Sequence, residues 1–434
     1  MSCATIKCNN KTREKLATVI RQMSLIQFLL MRTIAIGSLL LLLSACSLTP
    51  YKYDEAPSLS VIDRAVTQQQ RQFTVRASVP GIEEAKALFG IPLEKRGIQP
   101  VWLEITNHGS ARARVAPYSL DDEYFPPHEV AYMYRKQFSK EGWLDMEKRF
   151  YEMSLPRQIA GGATVSGYVF THLQPGTKAF NVDIFYVSGE LTDEHFTFFV
   201  EVPGFTPDHA EIDFQSLYSA DEVRDVDEAE LRSLVEAIPC CTTNRAGDGQ
   251  GRPVNLFLVA SGKDLLQALL RAEWMETSYE RNEEYLSATG YLYGRPADAV
   301  FRKRRGKSSD RNEMSLWRTP LLHEGTPVWA AQVRHAIGRF FAIGEKFLGV
   351  QLDPDVNEGR NYFLQNIWYS QSLESYAWSV SGIVVPQEQP LTDFDGNEFF
   401  SDGLRGVLWI TGGTISLQNA TNRHWDSVDE VTNR

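Results

Sequence analysis

Between residues 73 and about 205 apolar side chains return at every second position, and beyond Pro207 the spacing becomes 3.6. A strand pattern followed by a helix pattern excludes one repeating architecture and calls for at least two differently built units. In the first stretch Val101, Leu103 and Ile105 share a face before a turn at Asn107-His108-Gly109. Val165, Val169 and Thr171 alternate with Tyr168, Phe170 and His172. Gln174-Pro175-Gly176 then turns the chain into Phe180, Val182, Ile184 and Tyr186, and a further run covers 196–202. Short strands separated by turn residues predict an Ig-like β-sandwich over 73–205. Pro126-Pro127 opens one helix inserted in it, with Val130, Met133, Tyr134 and Phe138 on a face.

Over 206–238 the composition turns acidic, and Leu231, Leu234, Val235 and Ile238 form one stripe, which reads as a helical linker. The acidic residues of 221–230 suit a helix amino terminus. The nearly continuous apolar run 254–260 reads as a strand buried on both faces. Ser261-Gly262 turns it into a helix carrying Leu265, Leu266 and Leu269 and ending near Trp274. Further strands are expected at 314–319, 328–333, 379–385 and 407–411, and a helix at 356–369. The 434 residues thus read as an α+β multidomain chain, the β-sandwich followed by a mixed α/β domain over 239–418 and a polar tail over 419–434.

The amino-terminal end is of another kind. From Met31 the chain runs Met-Arg-Thr, then an apolar segment 34–43 broken by Gly37 and Ser38, then Ser44-Ala45-Cys46-Ser47. One basic residue, a short apolar segment and small residues at its end describe a secretory signal. Leu43-Ser44-Ala45-Cys46 resembles the bacterial lipobox, in which the cysteine sulfur receives a diacylglycerol. A transmembrane helix over 24–45 is the alternative; it would place Arg32 mid-membrane at about 2.5–3.5 kcal/mol. The expected organisation is therefore a signal region over 1–45 whose true start is Met31, cleavage before Cys46, and a Gln-rich tether over 46–72. Removing residues 1–45 takes away six basic residues and Glu14. The 38 Lys and Arg then left against 54 Asp and Glu give −16, where the whole chain has 44 against 55 and −11. An acylated Cys46 would hold this acidic body at the membrane without drawing it onto anionic headgroups. Ser47 is of the type that permits export to the outer membrane. An acidic chain has no general footprint for nucleic acid.

No P-loop, dinucleotide-binding glycine fingerprint or nucleophile elbow occurs in the mature chain, and no cofactor is expected. His128-Glu129-Val130-Ala131-Tyr132 lacks the second histidine of a zinc-protease helix. His209-Ala210-Glu211 with Pro239-Cys240 lacks the second cysteine of a zinc deaminase, since Thr243 stands there. Cys240 and Cys241 are the cysteines left beside the lipid-bearing Cys46 in the mature chain; a bond between neighbours would depart from ordinary disulfide geometry, and a structural link or burial is the expectation ahead of a catalytic thiol. Asp353 and Asp355 could face one cation, or Asp355 could cap the next helix with Glu358 completing a capping box. Asp393, Asp395, Asn397 and Glu398 are calcium-like in type, but Gly396 is misplaced for an EF-hand and a solvated turn is the other reading. Arg302, Lys303, Arg304 and Arg305 with Lys307 form the one basic cluster, either a solvated loop or an anion contact. His323 and His335 stand without ligand spacing, and no metal site is expected.

Seven segments in order carry a further likeness. They are Pro239-Cys240-Cys241-Thr242-Thr243-Asn244, Pro253-Val254-Asn255-Leu256, Leu292-Tyr293-Gly294-Arg295-Pro296-Ala297-Asp298, Leu316-Trp317-Arg318-Thr319-Pro320, Pro327-Val328-Trp329, Asp353-Pro354-Asp355-Val356 and Phe400-Ser401-Asp402-Gly403. Through them the chain resembles the LssY C-terminal domain family, whose members often carry a lipid-phosphatase-like membrane part that has no counterpart here. Residues 97–106 and 164–180 more weakly resemble bacterial lipoproteins. His335 and Asn357 stand where the family pattern commonly has acids, which weakens a metal or acid–base role. The resemblance implies a polar set, Asn255, Arg295, Asp298, Arg318, Asp353, Asp355, Arg360 and Asp402, that either lines one pocket or forms buried ion pairs. The combined expectation is an outer-membrane, periplasm-facing lipoprotein that acts as a binding or scaffold module for an envelope protein, lipid or glycan. A periplasmic hydrolase of phosphate-bearing or glycan material, with Asp298 or Asp353 as acid or base, is the alternative.

Overall fold

The computed structural model describes residues 50–54, 59–121, 123–186, 193–278, 290–304, 311–340 and 349–425. The leader with Cys46, the basic residue Arg305 and the end of the polar tail lie outside them. Among the described residues no helix is long and apolar enough to cross a membrane. The chain divides into two compact units, 1–52 with 127–152, and 53–126 with 153–434.

In the smaller unit the single helix expected after Pro126 is two. Helix Pro127–Tyr134 buries Val130, Ala131 and Tyr134, and a 3₁₀ turn Arg135–Gln137 follows. Phe138 is extended and so breaks the run. Ser139 then opens helix Lys140–Met153, its hydroxyl accepting from the Gly142 N–H at 3.0 Å. Met146 and Phe150 of that helix are buried, and His128 pairs with Glu147 across the two.

The larger unit begins with two four-stranded antiparallel sheets. The first has the order β1 (Val66–Gln70), β2 (Phe73–Ser78), β3 (Ile98–Asn107), β6 (Thr164–His172). The second runs β5 (Gln158–Ile159), β4 (Ala113–Val115), β7 (Thr177–Tyr186), β8 (Glu194–Glu201). The glutamines at 68–70 are part of edge strand β1, although the sequence reads as a tether there. Alternate residues of both sheets meet in one apolar cluster. Phe73, Val75, Val101, Leu103, Ile105 and Val169 come from the first, Phe180, Val182, Ile184, Phe196 and Phe198 from the second. Each such side chain contributes about 1.5–3 kcal/mol on burial. On the outer face of β6, Tyr168 and Phe170 make edge contacts with Phe89, whose helix Ile82–Phe89 covers them.

The rest is organised by a ten-stranded mixed sheet. Its main path is β13 (Met275–Glu276), β16 (Ala299–Arg304), β17 (Arg311–His323), β18 (Thr326–Phe340), β12 (Leu256–Val259), β25 (Arg405–Ile410), β20 (Leu373–Ser379), β26 (Thr421–Asn422). Strand β9 (Arg224–Val226) joins β17 and β19 (Gly349–Leu352) joins β18, while smaller antiparallel sheets hold β11 (Gln250–Pro253), β10 (Cys241–Thr243), β14 (Tyr291–Leu292) and β15 (Arg295–Pro296), β21 (Val384–Val385) with β24 (Ser401–Asp402), and β22 (Leu391–Thr392) with β23 (Glu398–Phe399). β12 is fully buried, parallel to β25 and antiparallel to β18, as its unbroken apolar run requires. Helices Gly262–Arg271 and Val356–Tyr369 cover one face through Leu265, Leu269, Phe363 and Ile367. Helix Glu228–Ala237 places Leu231 and Val235 in the cluster on the other, which also holds Leu292 and Val254. β17 and β18 extend well beyond the strands expected at 314–319 and 328–333. They form one hairpin closed by Glu324 and Gly325, both at positive φ, as a two-residue primed turn demands. The strand expected at 379–385 is displaced. β20 ends at Ser379, and a Cβ on Gly382 would lie 2.7 Å from the Gly403 carbonyl oxygen.

Candidate functional site

The polar set of the sequence falls into separate groups. Asp298 lies before β16, its side chain 2% exposed. It accepts from the Arg318 N–H at 2.6 Å and pairs with Arg295. Arg295 also donates to the Tyr218 hydroxyl at 2.9 Å, and that hydroxyl donates to the Arg318 carbonyl at 2.6 Å. The register of β17 against β18 shifts between Arg318 and Leu322. The Arg318 guanidinium fills this irregularity, donating to the carbonyls of Leu321 at 3.0 Å and Val328 at 3.2 Å. Burial lowers the Arg318 guanidinium and raises the Tyr218 phenol. These groups hold a bulge together.

A second group sits at the start of helix Val356–Tyr369. Asp355 is its N-cap and accepts from the Asn357 N–H at 2.9 Å. The expected partner Glu358 is not the one on the Asp355 N–H, which donates to Asp353 at 3.0 Å. Asp353 also pairs with His335 at 3.2 Å. Asn255 donates to the Val356 carbonyl at 3.1 Å. One turn on, Arg360 grips both oxygens of Asp402 at 2.8 Å and donates to the Leu404 carbonyl.

The basic cluster is a strand, which excludes the loop reading for 302–304. Alternation on β16 sends Arg302 to Glu313, at 2.7 Å, while Lys303 donates to the Ala272 carbonyl just after helix Gly262–Arg271. Arg304 is exposed. Arg311 and Arg334 reach the same Glu313, each at 2.7 Å. Burial alone would raise the Glu313 carboxyl, but Arg334, Arg302 and Arg311 bring it down to about 2.

Sequence reasoning missed two buried arginines. Arg252 pairs with Asp393 at 3.1 Å and donates to the carbonyls of Asp353 and Glu398. Arg405 donates to the carbonyls of Val235, Ile238 and Pro239 and so closes the end of helix Glu228–Ala237. The one available signal for Arg405 was a charge at the head of an apolar run, which has to find polar partners. Asp393 accepts from the N–H groups of Asp395 and Asn397, an Asx turn. Among the described residues no group of His, Cys, Asp and Glu is placed to hold a metal ion. His209 pairs with Glu276, and Cys240 is bonded to Cys241, the neighbour bond that ordinary disulfide geometry disfavours. A shallow depression of about 390 Å³ on helix Val356–Tyr369 is lined by Glu358, Tyr362 and Trp368 among others, and by none of Asp298, Arg318 and Asp353.

Residues 232–404 match the family described as LssY C-terminus. The LssY match includes all seven segments and begins seven residues before Pro239, inside helix Glu228–Ala237. No curated protein matches the chain. Among solved structures, a "putative lipoprotein (ycdA)" from Bacillus subtilis is 11% identical, over 58% of this chain and 72% of its own. Its TM-score is 0.18, too slight a likeness for an argument about fold or function.

Proposed function

We propose that this chain is an acylated envelope protein whose LssY segment is a binding or scaffold module. The observation that carries the non-catalytic part is the fate of the segment's charges. Asp298 is spent on Arg295 and the Arg318 backbone, Arg360 on Asp402, and Asp355 on a helix terminus. A hydrolase would need an acid, a base and a substrate cleft around one point, and these side chains serve turns and bulges instead. The anchoring part rests on the lipobox-like Leu43-Ser44-Ala45-Cys46, with Ser47 favouring the outer membrane and a periplasm-facing body. In this reading the two amino-terminal sheets are the layers of a β-sandwich, and the partners are the membrane, through lipid, and an envelope protein, lipid or glycan.

Labelled palmitate given to expressing cells tests the anchor. Label should enter the wild-type protein and not Cys46→Ser, and Cys46→Ser should leave the membrane fraction. A wild-type protein that takes no label, or a Cys46→Ser form that still sediments with membranes, overturns the anchor.

A further inference from the structure

Five residues after Cys46 the chain is pinned against a helix. Gly142, in the first turn of helix Lys140–Met153, lets the backbone pass so close that a Cβ there would stand 3.1 Å from the Tyr51 nitrogen. The Tyr51 ring meets Phe138 edge-on, with centroids 5.5 Å apart. Tyr51 is thereby fixed to the hairpin of helices Pro127–Tyr134 and Lys140–Met153, which belongs to the same compact unit. Five residues span at most about 18 Å when fully extended. A Cys46 whose acyl chains lie in a bilayer therefore keeps the start of helix Lys140–Met153 within about 20 Å of the lipid surface.

What that helix turns outward is partly apolar. Gly142, Met146 and Phe150 are its buried side. Leu144 and Tyr151, nearly two turns apart, share the opposite side and are 47% and 77% exposed. On helix Pro127–Tyr134, Tyr132 is 48% exposed, with Arg135 over its ring. Tyrosine suits the boundary between headgroups and acyl chains, since its ring is apolar and its hydroxyl keeps to water. The charge agrees. Residues 127–153 carry five Lys and Arg against five Asp and Glu, so the −16 of the mature chain lies wholly outside them. The hairpin is a neutral part of an acidic chain, and anionic headgroups do not repel it. Tyr51 passes across the helix from Leu144, but a helix is about 10–12 Å thick and the reach to Cys46 exceeds that.

We infer that the hairpin 127–153 is a lipid-contacting face, laid on the bilayer surface beside the Cys46 anchor with Leu144 and Tyr151 at the headgroup boundary. The inference rests on the anchored reading and adds to it the surface that meets the membrane. Two exposed side chains on one helix bury too little apolar area to hold the protein alone, so the acyl chains retain it and the contact orients the hairpin.

Acylated protein reconstituted in vesicles of phosphatidylcholine and phosphatidylglycerol tests it. A polarity-sensitive fluorophore is attached to the thiol introduced by Leu144→Cys, Tyr151→Cys or Asp145→Cys; Cys46 is blocked by its lipid, and Cys240 and Cys241 by their bond. Emission from 144 and 151 should shift to the blue in vesicles and be largely lost when the phosphatidylcholine carries a nitroxide on its acyl chain. Position 145, exposed but about 100° round the helix from 144, should lose less. Water-like emission at 144 and 151, or equal quenching at all three positions, overturns the inference. A blue shift without nitroxide quenching would put protein and not lipid on this face, and overturns it as well.

A Cys46→Ser chain beginning at residue 46, held by an amino-terminal hexahistidine on nickel-chelating lipid, imposes the anchor without acylation. Quenching at 144 and 151 in that form supports the contact even where palmitate labelling fails. Absent quenching in a protein that does take palmitate removes the contact and leaves the anchor, so the two readings fail separately.

Discussion

Replacing Asp121 by Asn should cost the first two sheets about 3–5 kcal/mol, because it strands a buried ammonium. Lys178 is 0% exposed and Asp121 2%. The Lys178 amine donates to Asp121 at 2.9 Å and to the His172 carbonyl at 2.7 Å. The carboxylate also pairs with the His172 ring at 2.6 Å and accepts the Glu123 N–H at 2.8 Å. Burial would raise its pKa, but His172 and Lys178 bring it from 3.8 to about 2. That depression is worth about 2 kcal/mol above pH 4, and it is lost as the pH falls from about 4 to 2. The remainder of the cost is the unpaired Lys178. Its own pKa is lowered by burial against the pull of Asp121, so in Asp121→Asn it should fall further. The double variant Asp121→Asn/Lys178→Met removes the stranded charge and should recover most of the loss. Urea unfolding followed by tryptophan fluorescence reports on this sheet through Trp102 of β3, which pairs with β6. A single variant that loses less than about 1 kcal/mol, or a double variant no better than the single, would refute the claim that an unpaired charge sets the cost.

Three further outcomes follow from individual contacts. Glu276 accepts the Thr177 N–H at 2.7 Å and pairs with His209 at 2.9 Å, which joins β7 of the second sheet to β13. Glu276→Ala should therefore lower stability by about 1–3 kcal/mol at pH 7, measured by urea midpoint. Burial would raise the Glu276 carboxyl, but His209 and the Thr177 N–H lower it, so its contribution should be present at neutral pH and fade as acid protonates it. Asp355→Ala should cost about 1 kcal/mol and Asp355→Ser much less, since serine also caps; equal losses would remove the capping role. Asp402→Asn should cost about 3 kcal/mol by leaving the buried Arg360 without its two-pronged partner, and a melting temperature unchanged from wild type would exclude that.

What could be read along the chain was burial, and what could not was pairing. The run at 254–260 announced a strand covered on both sides, and helix Val356–Tyr369 has the bounds its pattern predicts. Period two on β16 is itself enough to separate Arg302 from Lys303. That Arg302 finds Glu313 depends on the β16–β17 register, which no local pattern encodes. The short strand β9 was hidden because three residues show no period, and its place is set by parallel pairing with 321–323 of β17. Helix Lys140–Met153 was legible but unread: Ser139 caps it, and Met146 and Phe150 lie four apart on its buried side.

The candidate site follows the same division. An Arg–Asp repertoire within a family pattern suggests a pocket, yet an arginine is also the side chain best able to satisfy several stray carbonyls at once. Arg405, Arg318, Arg252 and Arg271 each donate to backbone carbonyls where a helix, bulge or loop leaves them without strand partners. Their presence therefore reports irregular backbone next to a large sheet, and it would be needed whatever the chain bound. Glu313 inverts that arrangement. Its three arginines lie in or beside regular pairing, where the ladder already satisfies the backbone, so they converge on a buried carboxylate that would otherwise be stranded and not on stray carbonyls.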